Sequence, residues 1–337
     1  MEQNFFFLVL ICILNFIIIL LFDKIKIFHF IIDNPDKDRK FHTKPTALAG
    51  GSILIINLIF YFLSILLNEK ILDNEKIFNN YKELILFLVT CILIFLIGLL
   101  DDKFNFSPSL KFFLLFLALI FFLFLDGNTY IKIIKFSFIE KQFYLNENSV
   151  IFTLFCFLVF INAFNMFDGI NLQSSSYLFI VLFFLFFVTN FSLFIFLLII
   201  FVLTFKYLNF RNKSFLGDSG ALLISFILGY IFIKLFNNKI ILYSDEVFIF
   251  MMIPGIDMIR LFFERIKKRR NPFSHDRLHL HHLLLAKYGY FKTICIIILF
   301  IILPIFTNYI GIMKLNIIIT TFIVYFLSIW IIKKKNN

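Results

Sequence analysis

Apolar residues fill this chain in blocks of roughly seventeen to twenty, broken by short polar interruptions. The blocks show neither the alternation of a half-buried strand nor the one-sided stripe of a soluble helix. They have the length of helices that cross a bilayer. Eleven spans are predicted, at roughly 4–22, 47–67, 84–100, 109–125, 150–167, 174–189, 191–208, 219–236, 246–263, 293–311 and 315–332. Only Thr189-Asn190 separates the sixth from the seventh, which reads as a tight helical hairpin. The predicted fold is all-α, a polytopic membrane protein forming one integral-membrane domain over 1–337. The first span has no basic residue before it and no small-x-small site after it, so it is expected to stay as an anchor and not to be cleaved as a signal.

The charges sharpen the picture. Lys and Arg total 32 against 21 Asp and Glu, a net +11. With the N-terminus outside, about 23 of the 32 basic residues fall in inside loops, helix ends and the tail. Positive-inside bias thus predicts an external N-terminus and a cytoplasmic C-terminus. No globular basic domain exists, which argues against a nucleic-acid partner. At 61% hydrophobic and 16% charged, the composition is far from that of a soluble domain. The 55 Phe, with abundant Ile, Lys and Asn, read as compositional bias and hydrocarbon-facing bulk. Cys12, Cys91, Cys156 and Cys295 lie singly in apolar spans and read as small hydrophobes.

Every loop with candidate chemistry falls on the predicted inner side. The first carries Arg39, Lys40 and His42 before Gly50-Gly51, a set suited to phosphate. The third span ends in Gly98-Leu-Leu-Asp101-Asp102. A helix C-terminus is already negative, so two carboxylates there call for a compensating positive charge, such as a divalent cation with a phosphorylated substrate. The fifth span closes on Asn162-Ala-Phe-Asn165-Met-Phe-Asp168-Gly169, with Asn162, Asn165 and Asp168 on one helical face. Gly217-Asp218-Ser219-Gly220 opens the eighth span, where Asp is ordinary helix-start chemistry and the helix N-terminus also suits an anion. The last inner loop reads Ser274-His275-Asp276-Arg277-Leu-His279-Leu-His281-His282. Its spacing supplies no closed zinc shell, and anion binding by Arg and His fits it better.

Together these motifs resemble the polyprenyl-phosphate N-acetylhexosamine-1-phosphate transferases, glycosyl transferase family 4, in matching order from Asp33 to His282. The His-x-His-His form resembles the UDP-N-acetylhexosamine branch. The resemblance implies an eleven-helix bundle with an active-site cleft at the cytoplasmic face of a bacterial inner membrane. It implies Mg²⁺, with Mn²⁺ as an alternative, held by Asn165 and Asp218. Asp101, Asp102 and Asp168 are then the candidate catalytic carboxylates. Arg39, Lys40, His42, Asn162, Arg277, His279, His281 and His282 are the candidate substrate-binding residues. The implied partners are a UDP-N-acetylhexosamine, polyprenyl phosphate in the membrane and a second copy in a homodimer. The ninth span, with Pro254-Gly255-Ile-Asp257-Met-Ile-Arg260, is expected to bend where the family opens a lipid groove. Three positions depart from the family pattern: Asn105 replaces a third Asp, Asn171-Leu172 replaces Asp-Gly, and His275 stands where Pro is common.

The implied reaction is phosphoryl transfer. The lipid phosphate attacks the sugar-linked phosphorus of the nucleotide sugar, and UMP leaves. GlcNAc is the default sugar. The rival reading is a lipid or ion transporter without transferase activity; transporters place their coupling sites near mid-membrane, whereas the acids here gather at one face.

Overall fold

The computed structural model describes residues 2–35, 44–68, 77–270 and 277–334. Arg39, Lys40, His42, His275 and Asp276 lie outside them. Each of the eleven apolar blocks is a helix: α1 (Glu2–Leu21), α2 (Gly50–Leu67), α3 (Tyr81–Phe104), α4 (Pro108–Leu125), α5 (Ser149–Phe167), α6 (Gln173–Val188), α7 (Leu193–Phe210), α8 (Gly217–Asn237), α9 (Ser244–Lys267), α11 (Tyr290–Tyr309) and α12 (Lys314–Lys334). A short helix, α10 (Leu280–Tyr288), stands between α9 and α11. Among the described residues, nine helices are long and apolar enough to cross a membrane. Of the other two long helices, α6 is shorter and α9 carries seven charged residues. Large apolar side chains such as Phe124, Phe155 and Leu303 stand exposed along the helices, as a lipid-facing surface requires. The chain is an all-α, multi-pass membrane protein.

Two compact units divide the chain. One comprises Met1–Thr129 and Leu182–Ile231, the other Tyr130–Val181 and Phe232–Asn337. The first unit has an aromatic core. Phe87 packs on Phe78, Phe194, Phe226 and Tyr230 with ring centroids 4.6–5.9 Å apart. Part of the Phe content therefore does structural packing and does not face hydrocarbon. Asn15 and Asn57, both buried, exchange hydrogen bonds of 2.7 and 3.3 Å between α1 and α2. A polar group in a span is tolerated when it finds such a partner.

Close approach of backbones shapes this unit. A methyl on Gly98 of α3 would lie 2.4 Å from Ser219 Cα, and one on Gly51 of α2 would lie 2.7 Å from Gly220 N. Only glycine lets the start of α8 settle against α2 and α3. Strands β1 (Ile32–Asp33), β2 (Thr46–Leu48) and β5 (Ser214–Phe215) form a small sheet beside it, with β2 antiparallel to β1 and parallel to β5.

In the second unit α9 runs unbroken through Pro254. Proline has no N–H for the carbonyl four residues back, which is that of Phe250. The Tyr177 hydroxyl of α6 donates to that oxygen at 2.8 Å. A hairpin of β3 (Ile133–Lys135) and β4 (Gln142–Tyr144) is tied to the start of α9, where Ser244 Oγ accepts from Lys135 N and Asp245 accepts from Ser137 N.

Candidate functional site

The acid pair sits where α3 stops. Asn105 has φ 51° and caps α3 in the left-handed region, its N–H donating to Asp101 O at 2.8 Å. Asn tolerates that conformation better than most residues, which gives a physical reason for Asn at this place. Ser107 then caps α4, with Pro108 in its first turn. This tight reversal carries Lys111 back onto the acids. Its ammonium lies 2.5 Å from Asp101 Oδ2 and 3.0 Å from Asp218 Oδ1. Asp101 is buried, and its Oδ1 also accepts from Phe106 N at 2.8 Å.

Asp102 faces the opening turn of α8. Its Oδ1 accepts from Asp218 N at 2.7 Å and its Oδ2 from Ser219 N at 3.0 Å. The carboxylate thus satisfies two amides that a helix start leaves unpaired, at the positive end of the helix dipole. Gly217, with φ +73°, has its Cα close enough that a Cβ would meet Asp102 Oδ2 at 2.8 Å. The positive charge called for by the acid pair therefore comes from Lys111 and from the α8 N-terminus. Asp101 and Asp218 already accommodate a cationic group between them, and their oxygen donors are the kind Mg²⁺ takes.

The second unit joins the two most distinctive motifs. Asn162 turns its amide back onto Leu158 O at 2.7 Å, Asn165 is half-buried on the same helix, and Asp168 ends it, accepting from Ser174 Oγ. Gly169 follows. A methyl there would sit 2.0 Å from His281 Nε2. On the other side of that ring, Gln173 Nε2 meets His281 Nδ1 at 3.3 Å. Burial, followed by the neighbouring His282 and His279, holds the His281 imidazole well below its ordinary range. The rings of His279, His281 and His282 lie 4.2–6.1 Å apart. Arg277 stands exposed just before them.

A knot of residues on α9 holds this histidine segment. Asp257 Oδ2 accepts from His279 Nδ1 at 2.9 Å. Its Oδ1 accepts from Arg260 Nη2 at 2.8 Å, from Leu280 N at 3.1 Å and from the Tyr325 hydroxyl at 2.5 Å. Asp257, His279 and His281 offer ligand atoms within 4.8 Å of one another. Four donors already occupy Asp257, however, and a guanidinium beside it opposes a divalent cation, so the trio reads as a hydrogen-bond network.

The comparisons with known proteins bear on both units. Residues 84–236 match the model of glycosyl transferase family 4. The matched segment holds Asp101, Asp102, Lys111, Asn165, Asp168 and Asp218; the histidine segment lies beyond it. Over a longer stretch the chain is similar to undecaprenyl-phosphate alpha-N-acetylglucosaminyl 1-phosphate transferases. It is 27% identical to that of Escherichia coli O157:H7 and 28% identical to that of Yersinia pestis, each across 76% of this chain and 69% of the relative. With the Thermotoga maritima enzyme it shares 27% identity, across 80% of this chain and 78% of the relative.

The structure brings Asp101, Asp102 and Asp218 together in the first unit, and the end of α5 at Asp168 and Gly169 together with His279, His281 and His282 in the second; Asn165 and Asp218, expected to share one metal, belong to different units. Sequence reasoning missed Lys111, Gln173, Tyr325 and the role of Asp257 with Arg260. A lone Lys in the first turn of a span, and an Asp and Arg three apart within one, were the available signals, since ionised groups in spans need a partner or a task.

Proposed function

We propose that this protein transfers N-acetylhexosamine-1-phosphate, with GlcNAc as the default sugar, from a UDP-sugar to a polyprenyl phosphate, releasing UMP. The observation that carries this reading is its similarity, over some three quarters of the chain, to relatives that share one named activity. The reaction joins two anions, so charge neutralisation is the main catalytic demand.

The chain's own residues meet that demand in two ways. Lys111 holds Asp101 and Asp218 in one charge cluster, and Asp102 fixes the turn from which Asp218 projects. Asp101 is the carboxylate that would orient the lipid phosphate. The three imidazoles, with Arg277, would bind the donor's phosphates and sugar. Asn162 supports this donor end, and Asp168, fixed by Ser174, borders it. Asp218, beside Asp101 in the first unit, would offer Mg²⁺ a carboxylate oxygen, and the ion when bound would offset diphosphate charge and ease departure of UMP. The location that goes with this chemistry is a bacterial inner membrane, with the N-terminus outside and the site at the cytoplasmic face.

The test uses purified protein in detergent with undecaprenyl phosphate, Mg²⁺ and a panel of UDP-N-acetylhexosamines. Release of UMP that requires both lipid and metal, with a lipid-linked sugar formed in equal amount, is the expected result. Absence of UMP with every donor, from protein that melts cooperatively, would sink the reading.

A further inference from the structure

The Asp257 carboxylate has a task that neither a lipid-facing span nor a bending proline explains. It lies inside α9, is 5% exposed, and gathers four hydrogen bonds, one from Arg260 on its own helix and three from two other parts of the second unit. Arg260 is shared out as fully: Nη2 also donates to Leu278 O at 2.7 Å, Nε to the Tyr325 hydroxyl at 2.9 Å, and Nη1 to Glu264 Oε1 at 3.0 Å. Lys333 closes the ring onto the same Glu264 oxygen at 2.9 Å. Leu278, His279 and Leu280, three consecutive residues, are thus each fixed by one group of this Asp-Arg pair. A buried charge pair survives in such a place when its remaining donors and acceptors are filled, as they are here.

We infer that Asp257 is a positioning residue for His279: its carboxylate accepts the Nδ1–H hydrogen bond, sets the ring's orientation, and leaves Nε2 as the ring nitrogen that, when protonated, donates to a phosphate of the bound donor. A carboxylate can only accept, so Nδ1 carries the proton whatever the state of Nε2. The same device orients ligating imidazoles elsewhere in protein chemistry, where the outer partner fixes which nitrogen works. Arg260 and Tyr325 hold the carboxylate in turn. Tyr325 belongs to α12, so the last helix braces the carboxylate that orients the ring. The inference rests on the transferase reading for the identity of the ligand and on the geometry alone for the ring.

The test separates the two. Protein labelled with ¹⁵N at its six histidines is examined by NMR, His279 being assigned by its loss in His279→Ala. In the wild type, His279 is expected to show a protonated Nδ1. In Asp257→Asn this signature should shift toward a mixture of tautomers; an unchanged His279 signature overturns the inference, with or without enzymatic turnover. In the transfer assay, Asp257→Asn should raise KM for the UDP-sugar at least ten-fold with a smaller fall in kcat, and Asp257→Glu should recover part of the loss. The double variant Asp257→Asn/His279→Ala should be no worse than His279→Ala alone, because the two act as one unit. Fully additive losses overturn the proposal. If Asp257→Asn fails to fold, the wild type decides: a His279 whose Nδ1 carries no proton overturns the inference.

Discussion

Gly169 lies so close to His281 that a methyl group on its Cα would stand 2.0 Å from the imidazole Nε2. The end of α5 and the histidine segment are locked by the absence of a side chain. Gly169→Ala should therefore push the ring off its seat. The expected outcome is a loss of transferase activity of ten-fold or more, mostly in KM for the UDP-sugar, with a melting temperature only a few degrees lower. Normal kinetics in this variant would show that the ring's position is immaterial to turnover.

Lys111 supports a second prediction. Its ammonium is the shared partner of Asp101 and Asp218, and without it the two carboxylates repel each other more strongly. Lys111→Met should lower activity at least ten-fold and stability by on the order of 1–3 kcal/mol. Lys111→Arg keeps the charge and should recover part of both. Initial rates and thermal melts in detergent decide it; Lys111→Met matching the wild type would remove the lysine from the acid cluster's account.

The proline in α9 yields a third. Tyr177 supplies the donor that Pro254 cannot. Tyr177→Phe leaves the buried Phe250 oxygen bare, at a cost of about 1 kcal/mol. The melting temperature should drop while turnover stays within two-fold. An unshifted melt would mean that α9 needs no outside donor at its proline.

A fourth concerns pH. The His281 ring is held well below its ordinary range in the folded protein, whereas in the unfolded chain it titrates near 6.5. Between those two values the unfolded chain binds more protons, so stability rises with pH across that window. It is complete above about pH 6.5 and is lost as the pH falls, at no more than about 1.4 kcal/mol per pH unit for this one group. Melts at pH 8, 6.5 and 5.5 should show the loss, and His281→Gln should flatten it. A wild-type curve independent of pH over this range would contradict a buried neutral ring.

What could be read in advance follows from the length scale of each signal. The helices were legible because a span needs some twenty consecutive apolar residues, and nothing in a polar loop imitates that. The sheet of β1, β2 and β5 was not, since strands of two or three residues are too short to alternate. The acid cluster was legible as to its acids and not as to its cation. Asp101-Asp102 advertise a need for positive charge, but Lys111 meets it only after the turn at Asn105 reverses the chain. Asp257 and Arg260 stood in a proline-bearing helix where Pro254 drew the attention, and α9 continues through that proline with a borrowed donor. Tyr325 carries no local mark at all, because its partners are sixty-five and sixty-eight residues away.

The brace from Tyr325 also sets a timetable. A nascent chain that has not yet inserted its final span has Asp257 and Arg260 in place but lacks the phenol that joins them. On the ribosome the histidine segment would therefore be held by Asp257 and Arg260 alone until synthesis is nearly finished, and a chain truncated before the last helix would lack the phenol that braces that pair even with every acid and imidazole present.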